Sequence, residues 1–138
     1  MENKKSTKAL IMGIILFILS LLLTAGVMTF FSACKHKTES GRWMACHWAQ
    51  MSVFGAGCVM SVISLLTLFI KNARVRLGLV ISLIPMAVYT ALIPNNLISL
   101  CMKTDMQCHS VMKPAVIVIS ILICIASVIS IVLNKNEE

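Results

Sequence analysis

Charge is what this sequence has least of. Only 12% of its 138 residues are Asp, Glu, Lys or Arg, and 59% are hydrophobic, whereas a soluble domain carries about 25% charged residues. The scarcity is concentrated in four stretches. No charged residue occurs between Lys8 and Lys35, Arg42 and Lys71, Arg76 and Lys103, or Lys113 and Lys135. Each gap exceeds the roughly 20 apolar residues needed to cross about 30 Å of hydrocarbon. Four membrane spans follow, at about 9–31, 48–70, 77–93 (with 100 as an alternative end) and 114–133. A chain of this length holds one integral membrane domain, 1–138.

Other absences narrow the function. No Asp, Glu, Lys, Arg or His lies deep in any span, and intramembrane charges normally mark ion pathways and proton relays. That argues against a proton-coupled pump or transporter acting alone. Glu39 and Asp105 are the only acids outside the termini. No nucleotide-binding loop, Ser/His/Asp arrangement or paired-carboxylate motif is present, so the reading leans away from an enzyme. Neither Cys-x-x-Cys nor Cys-x-x-Cys-His occurs among the six cysteines.

What charge there is marks topology. The formal net charge is +7, which in a soluble protein would suggest nucleic acid. Here Lys4, Lys5 and Lys8 precede the first span, and Lys71, Arg74 and Arg76 fill the short link between the second and third. Positive residues flanking spans mark the cytoplasmic side. Both termini are thus expected in the cytoplasm, with extracytoplasmic loops at 32–47 and 94–113. Lys35, Lys37 and Arg42 in the first of these make the bias moderate. The first span is long and lacks a clean small-residue cleavage pattern, which favours a retained span over a removable signal. The expected fold is all-α: a four-helix transmembrane bundle of two hairpins with two short, cysteine-containing outer loops.

Within the spans, two features bear on packing. Ser52/Ala56 and Gly57/Ser61 are small pairs four residues apart, a spacing that lets another helix approach closely. Pro85 is expected to kink the third span, "IPNN" at 93–96 to end its regular part, and Pro114 to occupy the first turn of the fourth. Tyr89 is expected to find a hydrogen-bond partner inside the bundle. Cys58 and Cys124 fall within spans as small packing residues. Trp43 and Trp48 suit an aromatic belt at the membrane entry of span two.

The candidate chemistry sits in the outer loops. Met44-Ala45-Cys46-His47 opens span two, and Met106-Gln107-Cys108-His109 precedes span four. Each is preceded by another cysteine, Cys34 or Cys101, and followed by Met51 or Met112 at nearly matching offsets. Spans two and four both run inward, so the two Met-x-Cys-His segments lie at one membrane face. Three uses of the cysteines remain open. Structural disulfides among Cys34, Cys46, Cys101 and Cys108 fit an oxidising face. They would pair either locally (Cys34–Cys46, Cys101–Cys108) or across hairpins (Cys46–Cys108). A metal or haem site would draw on His47, His109, Cys46, Cys108, Met44 and Met106, because thiolate and thioether suit copper and imidazole suits copper, zinc or haem iron. Thiol–disulfide exchange would require a low-pKa thiolate near a helix start.

"GRWMACHWAQM" followed by a small-residue-rich span, with "MQCHSVMKPA" before the last span, resembles an uncharacterised bacterial family of small four-span membrane proteins. That family is catalogued as a domain of unknown function, the 4418 family. The resemblance runs from the first span to the fourth. It carries Cys34, Trp43, Met44, Cys46, His47, Trp48, Cys101, Met106, Cys108, His109 and Pro114. Such proteins are encoded near ABC transporters whose permeases have large extracytoplasmic domains. The resemblance therefore implies a multi-pass bacterial plasma-membrane protein, an auxiliary subunit of an ABC-type transport complex. Its expected partners are the lipid bilayer, a permease and, as an alternative, a second copy of itself. No nucleic acid is expected and no cofactor is assured, with haem or copper as the candidates.

Overall fold

The computed structural model describes residues 2–30, 45–97 and 108–136, without the side chains of residues 2, 3, 5, 6, 45, 46, 95, 108 and 109. Among the described residues there is no strand. Four helices run in chain order: α1 (Glu2–Thr29), α2 (Ala45–Phe69), α3 (Ala73–Leu92) and α4 (Lys113–Lys135). Each has 20 residues or more, about 30 Å or longer at 1.5 Å per residue. Each also contains a segment apolar enough to cross a membrane. This is an all-α, four-helix transmembrane bundle. One end carries the α2–α3 link and both termini; it is called the turn end here. The other, the loop end, carries the two longer connections.

Helix is the only open-chain solution here, because hydrocarbon leaves an unpaired peptide group unsolvated at a cost of several kcal/mol. Buried hydroxyls of the first three helices follow the same rule, whereas Ser120 and Ser127 of α4 are buried without a hydrogen-bond partner among the described residues. In α1, α2 and α3 the buried Ser20, Ser64, Thr67 and Thr90 each donate to a carbonyl of their own helix at 2.6–2.9 Å. The polarity of these residues is thus spent locally.

The helices meet as a ring. α1 packs on α2 and α3 on α4, and α1–α4 and α2–α3 contacts close it. Leu16, Leu23, Met60, Leu83, Val116 and Ile123 are at most 1% exposed and form the middle of the core. The opposite faces, including Ile18, Val62, Val118 and Ile125, are exposed, which in a membrane means lipid-facing.

Lipid tails are as apolar as leucine, so close backbone approach and a few polar ties must hold the ring. Gly57 is buried, and a Cβ built on it would lie 2.5 Å from Thr24 Oγ1 and 3.4 Å from Thr24 Cα. Only glycine lets α1 and α2 come this near. A Cβ on Gly13 would meet the mobile tip of Leu68 at 2.7 Å, a contact that a rotamer change relieves. Ala56 is also buried, while Ser52 and Ser61 are half-buried, Ser61 donating to the Gly57 carbonyl at 2.9 Å. At Gly57 the approaching helix is thus the chain's own α1.

The second hairpin departs from regular α-helix where its prolines fall. α3 runs unbroken through Pro85, whose ring is exposed. Beyond Leu92 the chain continues as a π turn, Ile93–Leu97, and a second π turn, Cys108–Met112, leads into α4. Pro94 lies in the first, and Pro114 stands in the first turn of α4, with Lys113 between it and the second. Each lacks the N–H that an α-helix would use four residues back, and the wider turn accommodates the gap. At its other end α3 begins at Ala73, so Arg74 and Arg76 lie within its first turn. The charge pattern puts the start of that span at 77, because charge marks where hydrocarbon begins rather than where helix begins. Tyr89 is half exposed on the outer side of α3, in contrast to the expected place inside the bundle.

Gly57→Ala is expected to destabilise the bundle by about 1–3 kcal/mol through overpacking. Thr24→Ala, which removes the nearest atom, should recover part of that loss in the double variant. Gly55 has nothing within 4 Å of its would-be Cβ, so Gly55→Ala should not be destabilising. Tryptophan-monitored unfolding in detergent checks all four proteins; equal losses for Gly55→Ala and Gly57→Ala would contradict the packing.

Candidate functional site

The loop end gathers the residues with chemistry. α2 and the second π turn both begin there, each opening with a Cys-His pair: Cys46-His47 and Cys108-His109. The first π turn touches both α2 and α4 and so lies between the two helix starts. Its Ile93 and Pro94 are buried, and Asn96 is exposed.

Placement differs among the expected site residues. Cys34, Trp43, Met44, Cys101 and Met106 lie outside the described residues. Cys46, Cys108 and His109 have a described backbone but not a described side chain. His47 is half-buried one residue further along α2, and its ring meets Trp48 edge-on, with centroids 6.3 Å apart and planes at 75°. Trp48 is 61% exposed, as suits an amphipathic ring at the bilayer surface. Among the described residues no three His, Cys, Asp or Glu side chains converge on one point. Cys58 and Cys124 are free thiols inside α2 and α4.

The sequence echo is not a structural equivalence. Met112 is fully buried in the core, whereas Met51 is 39% exposed. The four- and five-residue offsets from the cysteines put these methionines on different helix faces. Met51 is open to an external contact, and Met112 serves packing.

One residue that the motif reading passes over holds this end together. Gln50 is 8% exposed, and its Nε2 donates to the Val27 carbonyl at 3.2 Å and lies 3.6 Å from Met28 Sδ. Val27 is in the last turn of α1, where carbonyls run out of donors within their own helix. Gln50 therefore ties the C-terminus of α1 to the first turns of α2, within one turn of His47 and Trp48 along the helix. Its sequence signal is a lone amide between Ala49 and Val53, both fully buried, in an otherwise apolar face.

Gln50→Leu keeps the bulk and removes the donor. The expected loss is about 0.6–1.7 kcal/mol, the range of interhelical hydrogen bonds in membranes, read as a lower unfolding midpoint in detergent. An unchanged midpoint would show that the amide does not hold the helix ends.

No curated protein and no solved structure matches this chain. One family model does match, from the middle of α1 to the last turn of α4. Over residues 16–133 the chain belongs to the family described as a domain of unknown function, DUF4418.

Proposed function

We propose that this chain is a non-enzymatic auxiliary subunit of an ABC-type transport complex in a bacterial plasma membrane. Its loop end faces outward, braced by disulfides among Cys34, Cys46, Cys101 and Cys108, and both termini face the cytoplasm. Its outer helix faces receive spans of the partner permease. The observation that supports a partner helix on the outer faces is the contrast between the glycines; the kind of partner comes from the family resemblance. Gly13 and Gly57 are filled by neighbours within the chain, whereas Gly55 and Gly78 are exposed with nothing within 4 Å of a built Cβ. Small residues on a lipid-facing surface are where the backbone of another helix can come close. Gly55 lies near the loop end of α2 and Gly78 near the turn end of α3.

Two further features support the orientation and the brace. Lys4, Lys8, Lys71 and Arg74 are exposed at the turn end, the arrangement of a cytoplasmic face. The cysteines other than Cys58 and Cys124 all fall in or beside the two long connections of the opposite end.

The test is affinity isolation of the tagged chain from its native membranes after crosslinking. The expected result is an ABC permease co-isolating with it. Gly55→Leu and Gly78→Leu should reduce that yield without changing insertion. A chain that isolates alone, or only with a second copy of itself, would overturn the transport assignment. In the same preparation, alkylation under denaturing, non-reducing conditions should block the thiols of Cys58 and Cys124 only. The remaining four should become reactive after reduction.

A further inference from the structure

The turn end has a feature that membrane insertion does not require. Lys71, Arg74 and Lys135 are exposed there, as cations at a bilayer surface usually are. Arg76, in the first turn of α3, is instead drawn partly into the seam against the last turn of α4. Its Nη2 donates to Asn134 Oδ1 at 2.8 Å, and Asn134 is 8% exposed. The Nε–H of Arg76 is buried with no hydrogen-bond partner among the described residues.

The geometry of guanidinium gives this arrangement a chemical meaning. Nε–H and the neighbouring Nη2–H form one edge that two oxygens of a single phosphate or carboxylate satisfy together. Asn134 Oδ1 accepts from one of the two Nη2–H bonds and brings no negative charge, so Nη2 keeps a second N–H for an incoming oxygen. A half-buried cation paired, among the described residues, only with a neutral amide has given up hydration for an incomplete set of partners. Nearby Lys71, Arg74 and Lys135 add positive potential to the same face. The seam lies in the first turn of one span and the last turn of the other, the level at which phospholipid headgroups meet hydrocarbon.

We propose that this end of the α3–α4 seam binds the phosphate of an anionic phospholipid headgroup. Arg76 grips the phosphate, Asn134 holds the guanidinium in place, and Lys71, Arg74 and Lys135 select net negative over zwitterionic headgroups. The site rests on the membrane bundle alone and does not depend on the transport assignment.

The full chain is reconstituted into nanodiscs of equal phosphatidylglycerol and phosphatidylcholine and ejected for native mass spectrometry. Wild type is expected to retain phosphatidylglycerol at least about fivefold over phosphatidylcholine, the discrimination that one well-placed cation supplies near a membrane surface. Arg76→Gln should bring the ratio close to one, and Lys71→Gln should lower it much less. Arg76→Lys keeps the charge but loses the two-toothed edge, so it should fall in between. It also decides the matter if Arg76→Gln does not fold. Replacing Glu137 and Glu138 with Gln removes the nearest carboxylates in sequence and should leave or raise the preference. Excess inorganic phosphate should not displace the lipid; displacement would assign the site to the free ion. Equal retention of both lipids by wild type, or an undiminished preference in a folded Arg76 variant, would overturn the proposal.

Discussion

The inability of hydrocarbon to solvate a peptide group or a charge governs this molecule. It forces the backbone into four self-sufficient helices and sends the hydroxyls of Ser20, Ser64, Thr67 and Thr90 back to their own carbonyls. It also removes the usual reason for helices to cluster, since exposed Ile18 or Val118 gains nothing from leaving lipid. What remains is contact at short range. The α1–α2 hairpin uses it fully, with Gly57 against Thr24 in the span and Gln50 reaching the Val27 carbonyl at the loop end.

The same constraint separates the two ends of the bundle. Groups that hydrocarbon excludes accumulate where the spans stop, and they differ in kind. At the turn end they are mainly lysine and arginine, with Arg76 as the one drawn inward against Asn134. At the loop end they are cysteine, histidine, tryptophan and two proline-associated π turns. Every candidate for chemistry or covalent bracing thus falls, in the sequence, in or beside the two connections of that end. Gln50 joins the ends of α1 and α2 beside those connections.

How much of this can be read in the sequence depends on the physical signal. The four charge-free stretches report the bilayer directly, so the spans and the all-α class follow from them. They report hydrocarbon, though, and not hydrogen bonding. Arg74 and Arg76 precede the third charge-free stretch and are nonetheless helical. Pro94 and Pro114 announce an irregularity, but a proline alone does not distinguish a helix end from a π turn. The Gly57/Ser61 pair signals a close approach without saying whose helix approaches. Cys46-His47 and Cys108-His109 are visible as motifs, whereas Gln50, though inside the same quoted stretch, is not singled out by them and matters through a carbonyl 23 positions earlier in the chain. The differing burial of Met51 and Met112 likewise depends on packing, which sequence offsets do not carry.

The central claim is an even number of spans, with both termini and the Lys71–Arg76 link on one face and both long loops on the other. Single epitopes before Met1, after Glu138 and within residues 36–40, probed with a membrane-impermeant protease in sealed vesicles of known sidedness, test it directly. The account predicts that the two terminal epitopes are cleaved or protected together and that the loop epitope does the opposite. Termini on opposite faces, or a loop epitope that follows the termini, would contradict it.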